Sequence, residues 1–238
     1  MNTDIQPLLY RVLQAGAMEI RDVDDAGENP FLYASGNWGP GYVSIKGLIS
    51  DKPLFMELNR RTAAKVATVA PHINFVAGNV TGGVVPGWEI GKVLDGLLGR
   101  EVPYVYIREA RKKGGQKELV TGLNNPLIRE GHNCLVVEEL VNFSQTSCHS
   151  ALLLRELKYM VTHAACILFY NNPRAVDLLK ETGLTMVHLF TLGELLDTAK
   201  ATGTHPVKLI GKYREFLADP LGWQKAHGLE RVEKGGTL

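Results

Sequence analysis

The stretch from Asn133 to Ser147, reading NCLVVEELVNFSQTS, constrains this chain more than any other. Its apolar run Cys134-Leu135-Val136-Val137 suits a buried strand, and it stops at two adjacent carboxylates, Glu138 and Glu139. Asn142, Ser144, Gln145, Thr146 and Ser147 follow before helical spacing resumes at Ala151. The order is strand, polar loop, helix. In open α/β sheets ligands bind outside the carboxyl ends of the strands, and the free N–H groups of a helix N-terminus attract anions. Two neighbouring acids at such an edge make poor core material, because buried charge must be paired or hydrogen-bonded. The tip of this strand is the first candidate site.

The rest of the chain alternates in the same way. Apolar positions at Ile5, Leu8, Leu9, Val12 and Leu13, closed by Gly16, predict a first helix. Phe31 to Ser35 and Tyr42 to Ile45 read as short strands joined by a turn, Ser35 to Gly41, in which three of seven residues are glycine. That turn is either a plain hairpin or a loop that cradles a ligand. A helix over Leu54 to Val69 leads to the strand Ile73 to Ala77, the glycine loop Gly78-Asn79-Val80-Thr81-Gly82-Gly83, and a helix from about Pro86 to Leu98. Strand, glycine loop and helix present backbone N–H groups to an anion, although neither the Walker pattern nor the dinucleotide spacing of glycines is present. A structural turn is the competing reading.

Val102 to Ile107 forms another strand, followed by Arg108 to Glu118, where five of eleven residues are cations and two are glycine. Such a run is either a solvated face or a cationic flap that closes over a polyanionic substrate. A helix from about Gln145 to Met160, a strand Ala164 to Tyr170, a helix Arg174 to Glu181 capped by Gly183, and a strand Met186 to Phe190 complete the alternation. The expected fold class is α/β, a mostly parallel doubly wound sheet. Two amphipathic helices, Leu192 to Ala201 and Val207 to Leu217, follow, with Asp219 to Trp223 ending the packed part.

Composition narrows the function classes. A net charge of +1 over 238 residues removes any broad electrostatic case for nucleic acid or an anionic membrane. The three cysteines Cys134, Cys148 and Cys166 lie in apolar segments without CxxC spacing, which points away from disulfides and zinc and toward a reduced, cytoplasmic setting. The N-terminal segment has Asp4 and no basic region before a long apolar core, so neither an export signal nor an anchor is expected. His132, His149 and His163 could serve as bases of a hydrolase, but no triad or metal spacing supports them over packed or capping histidines.

Taken in order, these parts resemble the type I phosphoribosyltransferases, and among them the orotate enzymes, over nearly the whole length. The matching pieces are FLYASGNWGPGY, FVAGNVTGGVVPG, YIREARKKGGQKELVTG, CLVVEELVNFSQTS, LGELLDTAKATG and FLADPLGW. The resemblance implies a single domain over residues 1–238, with an N-terminal helix and hood (1–52), an α/β core (53–190) and C-terminal helices (191–238). It implies transfer of ribose 5-phosphate from phosphoribosyl pyrophosphate to a nitrogenous base, an orotate-like pyrimidine first, with Mg²⁺, release of pyrophosphate and a place in pyrimidine nucleotide metabolism. A cytoplasmic homodimer that binds neither nucleic acid nor membrane is implied too.

By the same resemblance Glu138 and Glu139 bond the ribose hydroxyls, and Arg108, Arg111 and Lys113 steady the departing pyrophosphate. Asn142, Phe143, Ser144, Gln145 and Thr146 wrap the 5′-phosphate, while Gly78, Asn79, Thr81 and Gly82 form the pyrophosphate-side loop. Tyr42, Asn171 and Arg174 face the base. No direct protein ligand to the metal is assigned. The chain departs from the family pattern at several points. Its acids are glutamates where the family has aspartates, and Asn142-Phe143-Ser144-Gln145-Thr146 replaces a compact Thr/Gly cradle, which Phe143 and Gln145 are expected to obstruct. Ile107 stands where an arginine is common, Ala34 replaces a lysine, and the usual base-pocket arginine is missing after Tyr170. These departures keep a second hypothesis open, a protein of this fold that senses a nucleotide or phosphorylated ligand without transfer.

Overall fold

The computed structural model describes residues 5–108 and 119–232. Helix α1 (Gln6–Gln14) buries Leu8, Leu9, Val12 and Leu13, as its spacing predicts, and Gly16 ends it at φ 71. The strands that follow are β1 (Met18–Ile20), β2 (Phe31–Leu32), β3 (Trp38–Gly39) and β4 (Gly41–Val43). The hairpin expected between Phe31–Ser35 and Tyr42–Ile45 does not form. Instead β2 pairs with β3, and β4 turns away to pair antiparallel with β1. Pro40 lies between β3 and β4; it has no N–H to give a ladder, and its carbonyl accepts from the Arg21 N–H at 2.8 Å. Gly41 is required by proximity, since a Cβ there would lie 2.2 Å from the Tyr213 ring.

After a 3-10 turn at Lys46–Ser50, helix α2 (Lys52–Val69) is capped by Asp51, whose carboxylate accepts from the Leu54 N–H at 3.1 Å. The core then runs β5 (Phe75–Asn79), α3 (Val84–Leu98), β6 (Tyr104–Ile107), β7 (Val120–Thr121), β8 (Asn133–Val141), α4 (Gln145–Glu156), β9 (Met160–Phe169), α5 (Pro173–Thr182) and β10 (Thr185–Thr191). Helix α3 starts before Pro86, because a first-turn N–H has no helical partner to lose. The described strands of this sheet lie in the order β10-β9-β8-β5-β6-β7, parallel throughout except where β7 runs against β6. This is the expected α/β fold with a mostly parallel sheet.

Strand β8 sits at the centre and is apolar on both faces, as a doubly covered strand must be. Leu135 and Val137 pack with residues of α2 and α3, whereas Cys134 and Val136 pack with residues of α4 and α5. A third cluster joins the hood to α6 (Leu192–Thr202) and α7 (Val207–Ala218), with Leu9, Ile45, Leu58, Tyr170, Leu196, Tyr213 and Phe216 among its members. Asp219 to Trp223 does not end the packed part; Asp219 caps one more helix, α8 (Pro220–Ala226). The hood is tied to this end by polar bonds as well. Lys212 bridges Asp22 (2.6 Å), Asp24 (3.1 Å) and Asp25, and the Trp38 N–H donates to Gln224 Oε1 at 2.8 Å. Cys134, Cys148 and Cys166 are free thiols, all buried. Among the described residues no helix is long and apolar enough to cross a membrane.

Candidate active site

A cavity of about 400 Å³ opens at the carboxyl ends of the sheet, between the core and the hood. Its walls come from Tyr33 to Ser35, Tyr42 to Lys46, Val80 to Gly82, Glu138 to Ser147, and Tyr170. The predicted residues Tyr42, Thr81, Gly82, Glu138, Glu139, Asn142, Phe143, Ser144, Gln145 and Thr146 are thus brought to one place.

Side chains alternate faces along a strand, so the two acids at the end of β8 part company. Glu138 continues the face of Cys134 and Val136, toward α4. Its Oε1 accepts from Asn79 Nδ2 at 2.9 Å, and Asn79 Oδ1 in turn accepts from the Ser150 hydroxyl at 2.7 Å. Glu139 continues the opposite face and lays its carboxylate over Gly82, where a Cβ would be 1.6 Å from Oε2. Cys166, in register with Glu138 on β9, has its thiol pushed well up, by burial first and then by both carboxylates. It stays a neutral thiol beside the acids.

The loop after β8 turns on Ser144, which adopts φ 62 and is buried. Its Oγ has no hydrogen-bond partner among the described residues, and no side chain caps α4. The first-turn N–H groups at Gln145, Thr146 and Ser147 lack helical partners, and all three residues line the cavity. Phe143 lines the cavity while its side chain packs in the hood cluster. Asn142 is held by Asn172, whose Nδ2 donates to its carbonyl (2.8 Å) and to its Oδ1 (3.1 Å).

Other expected positions lie elsewhere. Gly78 and Asn79 are buried behind the cavity wall, and the Asn79 side chain is committed to Glu138 and Ser150. Arg108 lies outside the lining and donates to Tyr106 Oη at 2.9 Å and to Thr121 Oγ1 at 3.3 Å. Arg111 and Lys113 fall outside the described residues. Asn171 and Arg174 are exposed and do not line the cavity. His132 accepts from the Arg129 N–H at 3.3 Å, and His163 packs edge-on to His72. Burial and that second imidazole lower the His163 pKa.

Sequence reasoning missed Lys46, Ser44 and Ser35. Residues 41 to 46 alternate in burial, with Val43 and Ile45 inside and Tyr42, Ser44 and Lys46 on the other face. That alternation, visible in the sequence, places Ser44 and Lys46 beside Tyr42. Lys46 has no hydrogen-bond or ion-pair partner among the described residues, and it is the one described cation lining the cavity, against two carboxylates. Among the described residues no group of three or more His, Cys, Asp or Glu side chains could hold a metal. A Mg²⁺ ion commonly takes only one or two carboxylates and shares its remaining positions with water and substrate phosphates. Glu138 and Glu139 fit an ion that arrives with a phosphorylated substrate.

No family model matches the sequence. It is 28% identical over 210 residues to an orotate phosphoribosyltransferase of Cereibacter sphaeroides, covering 88% of this chain and 87% of the relative. An orotate phosphoribosyltransferase from Aeropyrum pernix superposes with a TM-score of 0.61 at 20% identity, over 84% of this chain and 99% of that one. The chain has the fold of the type I phosphoribosyltransferases. A second solved structure, that of the UMP synthase of Leishmania donovani, gives a TM-score of 0.67 at 18% identity over 90% of this chain, which spans 42% of the synthase's length.

Proposed function

We propose that this chain, as one domain, transfers the ribose 5-phosphate group of phosphoribosyl pyrophosphate to a nitrogenous base, releasing pyrophosphate. The observation that carries this reading is a cavity lined by two carboxylates, Glu138 held by Asn79 and Glu139 lying over Gly82, together with the uncapped start of α4 and the Ser144 hydroxyl, which has no partner among the described residues. A phosphate is bound by such a helix start through N–H groups and the helix dipole, and the Ser144 hydroxyl supplies one further donor. Glu138 and Glu139 accept from the two ribose hydroxyls and so fix the sugar between α4 and the Val80–Gly82 loop. That orientation holds the anomeric carbon toward the hood, where the base enters. Mg²⁺, when bound, neutralises charge on the leaving pyrophosphate; Arg111 and Lys113 supply positive charge of the same kind.

The acceptor in this reading is an orotate-like pyrimidine. Tyr42 offers a ring face and Ser44 a hydroxyl, and the Lys46 ammonium, without a partner among the described residues, takes the carboxylate-binding role that Arg174, exposed on α5, does not fill. A cytoplasmic two-fold dimer belongs to the same reading, C2 being the commonest symmetry of soluble oligomers. Binding without transfer is the second reading; the commitment of Arg108 to Tyr106 and Thr121, away from the cavity, favours it.

Calorimetric titration with phosphoribosyl pyrophosphate and Mg²⁺, followed by a pyrophosphate-release assay over a panel of nucleobases including orotate, separates the two. Binding with release on one base is the expected result. Binding without release for any base supports the sensor instead. Turnover unchanged after Glu138→Ala with Glu139→Ala, or no donor binding at all, refutes the transferase assignment.

A further inference from the structure

We infer that Asn79 is a positioning residue for Glu138, itself fixed by Ser150, so that the helix carrying the phosphate seat and the acid beside it move as one unit. The inference rests on the transferase reading of the cavity.

The sequence poses the problem. A glutamate has one more torsion than an aspartate, and a half-buried carboxylate at a strand tip is free to sample several rotamers unless something holds it. The structure holds it with a residue that the motif alone marks as part of an anion loop. Asn79 is 2% exposed, at the end of β5, the strand directly beside β8. Its Nδ2 donates to Glu138 Oε1 at 2.9 Å, and the Ser150 hydroxyl donates to its Oδ1 at 2.7 Å. The direction of this chain is dictated by chemistry. An ionised carboxylate only accepts, so the amide nitrogen must face Glu138, which leaves the amide oxygen to face Ser150.

The backbone of Asn79 is anchored as well, because its carbonyl accepts from the Gly83 N–H at 2.8 Å. Asn79 therefore cannot follow Glu138 if the acid swings; the acid must stay with Asn79. Ser150 is also buried, at 2% exposure, and lies on α4 less than two turns from the helix start at Gln145. A shift of α4 on anion binding is passed through Ser150 and Asn79 to the carboxylate. The bond to Glu138 is charge-assisted, hence stronger than a neutral one, and it lies behind the cavity wall, out of competition with ligand.

The test is a double-mutant cycle of Asn79→Leu with Glu138→Ala, repeated with Ser150→Ala, read as affinity for phosphoribosyl pyrophosphate with Mg²⁺ and as kcat where turnover is measurable. A residue that acts through Glu138 loses its effect once Glu138 is gone. Asn79→Leu is expected to weaken donor binding by about tenfold in the wild-type background, and Ser150→Ala by about threefold. Each should fall below about twofold in the Glu138→Ala background. Equal losses in both backgrounds mean that Asn79 is merely structural and overturn the inference. The Ser150→Ala cycle decides alone if Asn79→Leu fails to fold. A wild type that binds the donor but does not transfer refutes the transferase reading, and the affinity cycle still decides the role of Asn79. A wild type that does not bind the donor removes both.

Discussion

Replacing Gly82 by alanine should stop the reaction while leaving the fold standing. Gly82 does not have a positive φ, so its backbone accepts a side chain without strain. The three atoms nearest the added Cβ all belong to the Glu139 carboxylate, with Oε2 at 1.6 Å, Cδ at 1.9 Å and Oε1 at 2.1 Å. Ordinary contact between such atoms is about 3.5 Å, so the carboxylate must retreat by about 2 Å. Glu139 is half-buried and ends in a flexible side chain, and the change in folding free energy should stay within about 1 kcal/mol. Catalysis is far less tolerant, since a displacement of about 1 Å in a positioned group can lower the rate about 100-fold. We therefore expect kcat/KM for phosphoribosyl transfer to fall by at least about 100-fold with an unchanged urea midpoint. Combining the change with Glu139→Ala should lower the rate no further than Glu139→Ala alone. A rate within about threefold of wild type, or an undiminished further loss in the Glu139→Ala background, would show that the close approach of Gly82 and Glu139 plays no part in the reaction.

Three further outcomes follow from the same geometry. Ser144→Gly should raise stability by about 1 kcal/mol in urea denaturation, because a non-glycine residue leaves the left-handed region, while affinity for ribose 5-phosphate drops with the lost hydroxyl; a loss of stability contradicts this. In wild type, orotidine 5′-monophosphate should bind more tightly than uridine 5′-monophosphate, which lacks only the carboxylate, and Lys46→Met should erase about tenfold of that preference, a result that calorimetry would overturn by finding the two nucleotides alike. The hood clasp should loosen in acid. Bonds from Lys212 to Asp22, from His227 and Lys212 to Asp24, and from Lys208 and Lys212 to Asp25 hold these carboxyls below 3.8, Asp25 at about 2. Acids whose folded values are depressed stabilise fully above the unfolded value, and lose that contribution as pH falls through the folded one. Amide protection factors in β1 to β4, corrected for the intrinsic exchange rate at each pH, should hold steady above about pH 5 and fall toward pH 2, and Lys212→Met should flatten that dependence.

The α/β order of the core was legible because β8 is apolar on both faces and the glycine and polar loops follow the strands directly. The hood was not. Its strands are two or three residues long, too short for a period to stand out, and the partner of β4 is set by Pro40 and by the room Tyr213 leaves at Gly41. At the site, residue types foretold that Glu138, Glu139 and the Asn142–Thr146 loop would meet, because all sit at one strand end. They did not foretell which way side chains turn. Phe143 lies in the polar loop of the sequence, yet its side chain packs with the hood cluster, where its apolar area is buried. Asn79 reads as part of an anion loop but finds partners at 59 and 71 residues' separation in the chain, and no local pattern carries that information. Lys46 was within reach, since it continues the alternation begun at Tyr42.

The placement of the two acids on opposite faces of β8 gives each its own surroundings. Here Glu138 accepts from the Asn79 amide, which is itself fixed by Ser150 of α4, and Glu139 lies over Gly82 on the other face. In the proposed reaction such a strand tip meets one sugar with two acids of different support, one braced from the neighbouring strand and helix, the other resting on a glycine.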